Sequence, residues 1–487
     1  MSDVDVAVVG SGPNGLAAAV TMARAGLRVR VHEAASAAGG GAASAELTLP
    51  GFVHDVCSAV HPLAFESRFF QEFGLTERVP FTVPEVSYAH PLDGRHAVLA
   101  YRDLRRTADE LGRDGGRYTR LMRPLVRRAG GIADLTGGSL LRVPPDPLAA
   151  LAFGLRALEQ GSPAWDLRFR GAAAPALVTG VAAHTMLRQP SISGAGAGLA
   201  LAAYGHARGW PIPIGGTQAI ADALVDDLRA HGGEVVTDHE ISSLDEVAGA
   251  RAVLLDVTPR ALARIAGRRL PERYARALRR FRYGAGVAKV DFALSGPVPW
   301  ADPAVADAAA VHLGGTRAEI AAAENDVAQG RMPERPYVLV SQPTVFDPTR
   351  APEGKHILWA YTHVPAGSDV DRQEAVVRQI ERFAPGFRDR ILAVSSRTAA
   401  QVARHNANYP GGDISAGVPD LRQLLRRPVL RPDPWRTPAR GVYLCSASTA
   451  PGPGVHGLAG WWAARSALRH EFGIRELPDL SPASERV

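Results

Sequence analysis

Lysine is almost missing from this chain: of its 487 residues only Lys289 and Lys355 are lysines, against 53 arginines. A skew of that size is compositional, and by itself says little about partners. Cysteine is as scarce. Cys57 and Cys445 lie too far apart in sequence to form a CxxC redox pair or a zinc-binding run, which weighs against thiol–disulfide chemistry and a structural zinc. No uninterrupted apolar run reaches the roughly 18 residues of a membrane span. The opening Met1-Ser2-Asp3-Val4-Asp5 has neither the basic stretch nor the cleavage site of a secretory signal, so the protein is expected to be cytoplasmic. The formal charge of +6 is spread over short groups such as Arg105-Arg106, Arg279-Arg280 and Arg426-Arg427. Without interleaved aromatics these do not form a base-stacking surface, and no nucleic-acid partner is expected.

What is present fits a globular protein, with 46% hydrophobic and 21% charged residues. Single cores stop growing at roughly 250 to 300 residues, so at least two domains are expected. The Ala- and Gly-rich stretch 171–209 is broken by His184, Arg188, Gln189, Pro190 and His206. It reads as a buried helix pair in the substrate-binding part, and it leaves open transient membrane contact or a homodimer interface.

The informative region begins at Val4. Val4-Asp5-Val6-Ala7-Val8-Val9 is a short β-branched run suited to a buried parallel strand, and Gly10-Ser11-Gly12-Pro13-Asn14-Gly15 follows at once in the pattern GxGxxG. Leu16 to Ala25 has a helical pattern that Gly26 can end. Each glycine has its own reason: Gly10 for the tight turn, Gly12 for backbone approach to a pyrophosphate, Gly15 for close packing of helix on strand. A second strand, Leu27 to His32, ends at Glu33, whose carboxylate can accept a ribose 2′-hydroxyl. A free 2′-hydroxyl suits FAD or NAD better than NADP. Strand, glycine turn, helix and acidic residue are independent requirements, and together they predict a dinucleotide-binding fold.

Gly39-Gly40-Gly41, just beyond Glu33, is a second place where backbone could pass close to a cofactor. With it, the segments Glu46–Phe52, His54–Leu63, Gly209–Gly216, Lys289–Leu294 and Gly441–Gly460 resemble the FAD-dependent phytoene desaturase and amine oxidase superfamily, and within it the phytoene-dehydrogenase-related (pyridine nucleotide-disulfide oxidoreductase domain protein 2-like) branch. The family usually places an arginine soon after the second glycine motif. This chain reads Ala42-Ala43-Ser44 there.

The resemblance implies an α/β fold: a Rossmann-like FAD-binding domain of glutathione reductase-like, amine oxidase type with an inserted α+β substrate domain. The FAD-binding part is expected to be discontinuous, over 1–75, 210–285 and 400–487, and the substrate domain to fill 76–209 and 286–399. FAD is the expected cofactor. Besides Gly10, Gly12, Pro13, Asn14, Gly15 and Glu33, the resemblance gives Gly40, Gly41, Ile241, Ser446, Gly454, Val455 and Gly457 as cofactor contacts, with Asp256-Val257-Thr258-Pro259 turning the chain back toward them. No metal is expected. Lys289 stands where amine oxidases of the superfamily place a lysine that holds water near flavin N5, and His456 is a second candidate acid, base or hydrogen-bond donor. His54, Asp55 and His61 read as buried, satisfied polar residues.

The activity expected on these grounds is a dehydrogenase or desaturase that takes hydride and a proton from a C–C bond of an apolar or alicyclic small molecule. Three other readings stay open. A flavin amine oxidase calls for aromatics flanking the flavin, and none are paired near the C-terminal motif; a redox-neutral flavin isomerase needs the same cofactor. A non-catalytic binding protein like the GDP-dissociation inhibitors shares the fold, but would have no use for the backbone donors of the Pro451–Gly457 turn.

Overall fold

The computed structural model describes residues 4–482. Its first sheet has five strands, all parallel, in the order Val442–Leu444, Ala252–Leu255, Val6–Val9, Val29–His32, Glu234–Val236. Three distant stretches of chain supply them. Side chains alternate across a strand, so Val6 and Val8 pack on one layer of helices while Ala7 and Val9 pack on another. The first layer contains Pro13–Arg24, Gln218–Ala230 and Leu458–Ala467, and the second contains Pro259–Ile265 and Glu272–Arg279. Covering on both faces explains why these strands read as continuous apolar runs.

Local signals mark the first βα unit well. The strand read from Val4 starts at Val6, and the one read from Leu27 starts at Val29. The helix read from Leu16 already begins at Pro13, which takes the first helical turn where its missing N–H costs nothing. It ends as expected at Gly26, which adopts φ +80°.

The second sheet has seven strands in the order Ile391–Arg397, Gly286–Leu294, His356–Val364, Val338–Ser341, Ala308–Leu313, Val86–His90, Val98–Tyr101. It is antiparallel except where Ala308–Leu313 runs parallel to Val86–His90. The 171–209 stretch forms two helices, Ala173–Ala182 and Ile192–Ala207, which are largely buried and pack with Tyr88, Tyr337 and Leu339 in one core. Among the described residues, no helix is long and apolar enough to cross a membrane.

The tightest packing lies where Leu458–Ala467 crosses Pro13–Arg24. A Cβ built on Gly460 would sit 1.7 Å from the Asn14 carbonyl oxygen, so no other residue fits without moving one helix. Gly460→Val is expected to lower stability by at least about 1–3 kcal/mol through overpacking. Urea unfolding measures it, and a midpoint equal to that of the parent protein would contradict this packing.

Candidate functional site

The glycine loop leaves the central strand at Gly10, whose φ of +96° makes the tight turn. A Cβ on Gly15 would fall 2.1 Å from the Gly10 carbonyl oxygen, which is the close helix–strand packing read from the sequence. Gly12 caps the helix without any side-chain hydrogen bond, and the first turn holds no acidic residue. The helix therefore presents the positive end of its dipole, the arrangement that receives phosphate. Asn14 Oδ1 is buried beside it with no hydrogen-bond partner.

Asp256 forms the floor of this loop. The Gly15 N–H donates to its Oδ2 at 2.9 Å, and a Cβ on Gly12 would stand 2.7 Å from the same oxygen. Burial pushes the Asp256 carboxyl up to about 7; the Gly15 N–H pulls it down and the charge of Glu33 adds to the rise. Glu33 itself accepts from Ser11 N–H at 2.8 Å, Ser11 Oγ at 2.6 Å and Ala35 N–H at 2.8 Å. These bonds fix the carboxylate at the mouth of the loop.

The second glycine run lies against the first: a Cβ on Gly40 would meet Gly12 Cα at 3.0 Å. Gly41 faces the Tyr409 hydroxyl, 2.3 Å from where its Cβ would be. In the C-terminal turn Gly454 takes φ +134°, and Gly457 takes φ +66° as N-cap of Leu458–Ala467. His456 holds that turn. Its Nδ1 accepts from the Leu458 N–H at 3.0 Å and its Nε2 lies 3.1 Å from the Gly452 carbonyl oxygen, so the ring is neutral, its pKa lowered by burial to about 4. Both nitrogens are committed to backbone, which leaves the imidazole no free site for acid–base work.

One cavity of about 1230 Å³ joins these parts, above the ~300–1,000 Å³ of ordinary ligand pockets. Its wall includes Gly10, Gly12, Pro13, Asn14, Glu33, Gly40, Gly41, Ile241, Asp256, Ser446, Gly454, Val455 and His456. Gly15 and Gly457 do not reach it and serve packing: a Cβ on Gly457 would collide with Phe69 and Ala17. The cavity continues into an apolar arm walled by Phe153, Ala157, Ala197, Ala200, Leu201 and Trp210.

Lys289 borders a second, small chamber of about 20 Å³ whose wall it shares with Gly40, Cys57, Tyr361 and Tyr409. It is buried, and its Nζ donates to both carboxylate oxygens of Asp291. Burial lowers the lysine and raises the aspartate, each opposed by the partner's charge. Strand register places this pair. Lys289 stands opposite Tyr361 and Asp291 opposite Trp359, all on one face because residues two apart point the same way. The Trp359 and Tyr361 rings meet edge to face at 5.1 Å.

The neighbouring polar residues are paired only in part, since His54 Nδ1 and His61 Nδ1 are buried without a hydrogen-bond partner. Asp55 pairs with Arg350 at 2.9 Å and accepts from the Thr217 N–H and the Ser44 hydroxyl, while His61 Nε2 is 2.9 Å from Thr217 Oγ1. Sequence reasoning missed the aromatics of the wall, Trp210, Trp359, Tyr361 and Tyr409. It also missed His184, whose Nε2 lies 2.8 Å from that of His312. Trp359 and Tyr361, spaced by two on a strand, were the one local signal available.

These features define a Rossmann-like dinucleotide-binding fold of the FAD-dependent amine oxidase type. A model of the NAD(P)-binding Rossmann-like domain matches residues 8–73. The chain is similar to pyridine nucleotide-disulfide oxidoreductase domain-containing protein 2 of Rattus norvegicus, at 25% identity over 96% of this chain and 94% of that one. It is also 31% identical to a 4,4'-diapolycopen-4-al dehydrogenase of Metabacillus indicus over 26% of each chain. Among solved structures, cyclohexylamine oxidase from Brevibacterium oxydans superposes with a TM-score of 0.56 at 16% identity, covering 96% of this chain and 98% of that one.

The raised carboxyl of Asp256 has a consequence for stability. Its folded pKa of about 7 lies above the ordinary 3.8, so the neutral form's contribution is complete below 3.8 and is lost as pH rises through about 7. In the protein free of cofactor, the stability advantage of the parent over Asp256→Asn should shrink between about pH 5 and about pH 8. Urea titrations at the two pH values test this; a difference independent of pH would refute it.

Proposed function

We propose that this chain is an FAD-dependent oxidoreductase, a dehydrogenase or desaturase acting on a C–C bond of an apolar or alicyclic small molecule. The observation that carries the reading is the single cavity that runs from the helix end at Gly12 to an arm walled by apolar side chains. The residues present fit the cofactor. The N-terminal end of Pro13–Arg24 would receive the pyrophosphate, Glu33 a ribose hydroxyl, and Ile241 the adenine side. Ser446, Gly454 and Val455 would lie along the ring system. Bound there, the flavin supplies the two-electron acceptor.

The remaining work falls to the chain. The apolar arm excludes water and orients the carbon to be oxidised. Lys289 Nζ, held by Asp291, stands beside a chamber with room for about one water. Desaturation also needs a proton acceptor. Glu66 lines the cavity, its carboxyl raised by burial, and its Oε1 accepts no hydrogen bond although Arg208 Nε lies 3.1 Å away. A flavin amine oxidase is the second reading, favoured by the aromatic wall of Trp359, Tyr361 and Tyr409.

The first test is the visible spectrum of the purified protein before and after heat release of its cofactor. Flavin bands with FAD in the supernatant are expected, and anaerobic bleaching by alicyclic hydrocarbons but not by amines would favour the first reading over the second. A colourless protein that also refuses added FAD would overturn both. Gly12→Leu is expected to lose flavin while staying folded. Lys289→Met is expected to keep it and to slow flavin reduction at least about tenfold in stopped-flow traces, and unchanged rates would remove Lys289 from the mechanism.

A further inference from the structure

The surface holds one apolar feature that the proposed activity does not use. In the Pro147–Gln160 helix, Leu148, Leu151, Leu155 and Leu158 recur at i, i+3, i+7 and i+10 and are each 53–60% exposed. Four leucines at that spacing share one helix face. Val143 and Leu167, exposed at 87% and 84%, flank the helix at its two ends. A row of this kind on a globular surface marks an interaction site.

A row of arginines runs beside it. The Gly115–Val126 helix is tied to the leucine helix by Arg156, whose Nε donates to the Leu121 carbonyl at 2.9 Å and whose Nη2 donates to the Arg120 carbonyl at 3.3 Å. Along it Arg120, Arg123 and Arg127 are exposed, again at i, i+3 and i+7, and among the described residues none has a carboxylate within ion-pair distance. Residues 113–170 carry ten arginines and five carboxylates, a net +5 of the chain's +6. Four of those carboxylates are already engaged: Asp114 by backbone N–H groups, Asp146 by Arg128, Glu159 by Arg168 and Asp166 by Arg317.

We propose that this face docks on an anionic lipid bilayer, with the leucines seated in the acyl boundary and the arginines on the headgroups. An apolar stripe beside a cationic one is what an interfacial helix presents to such a surface. A second copy of the chain fits less well, since a two-fold dimer through this face would bring two sets of net +5 together. The leucine helix also forms part of the cavity wall through Phe153, Gly154 and Ala157. Gly154 and Ile192 are both exposed and cavity-lining, so the apolar arm opens within the docking footprint. An apolar substrate could pass between bilayer and cavity there without crossing water. The docking itself rests on the two stripes, not on the cofactor or the reaction.

The test is co-sedimentation of the full chain with vesicles of phosphatidylcholine alone or mixed with phosphatidylglycerol. Binding is expected with the anionic vesicles, weakening as salt is raised. Leu151→Glu/Leu155→Glu is expected to reduce it at least about tenfold, and Arg120→Glu/Arg123→Glu/Arg127→Glu to abolish the preference for anionic lipid. Circular dichroism checks folding, and Leu151→Ala/Leu155→Ala gives a milder variant expected to show a smaller loss of the same sign. Absence of vesicle binding, or equal binding by the parent and both leucine variants, would overturn the proposal. So would a dimer in sedimentation velocity that the leucine variants dissociate while the parent ignores vesicles.

Discussion

The absence of side-chain volume around Asn14 and Gly15 is the constraint on which the rest depends. Gly15 lies against the Gly10 carbonyl, Gly460 against the Asn14 carbonyl, and Gly10 and Gly12 against Asp256. Only glycines let two helices and a strand end approach so closely. The result is that the N-termini of Pro13–Arg24 and Leu458–Ala467 are brought to one cavity. Their dipoles add there, and an anionic ligand is favoured without a single lysine or arginine in the loop. Asp256 fits this field only with its carboxyl raised, since an ionised aspartate at the bottom of the loop would have the Gly15 N–H as its one partner besides Glu33's repulsion.

The second sheet places the opposite wall of the cavity by register alone. Lys289 and Asp291 meet Tyr361 and Trp359 because Gly286–Leu294 pairs with His356–Val364 in one alignment. A shift of one residue would turn all the side chains of a strand to the other face, so the hydrophobic pattern of the strands also fixes where the buried charge sits. That pattern is strong here, with Val290, Phe292, Leu358 and Ala360 packed together on the opposite face.

How legible the site was follows from how far apart its parts lie in sequence. Gly10, Gly12, Gly15 and Glu33 could be read because turn, helix start and strand end are short-range features with their own residue requirements. The aromatic wall could not be, because Tyr361 and Tyr409 reach Lys289 through strand pairing and a distant loop. His456 could be read equally as an acid or base or as a cap of its turn, and its two nitrogens are bonded to Gly452 and Leu458. The leucine stripe is the converse case: its spacing is that of any core-facing helix, and only the packing of Gly115–Val126 and Ile192–Ala207 around it decides which face stays uncovered.

Buried charge in this molecule is therefore better explained by placement than by stability. Ion pairs taken out of water are weak stabilisers, since desolvation offsets most of their attraction, and an apolar pair of equal volume often serves the fold as well. Lys289–Asp291 and Arg350–Asp55 are both such pairs, and Lys289 borders the small chamber. Arg350–Asp55 has a structural reason, because Asp55 also holds the Thr217 N–H and Ser44, and Arg350 holds the Val53 carbonyl. Lys289 holds Asp291 and lies over the Trp359 ring, 5.6 Å from its centroid. In a chain with 53 arginines, a lysine in that position supplies a compact head group where the planar, five-donor arginine head would need more partners than the small chamber offers.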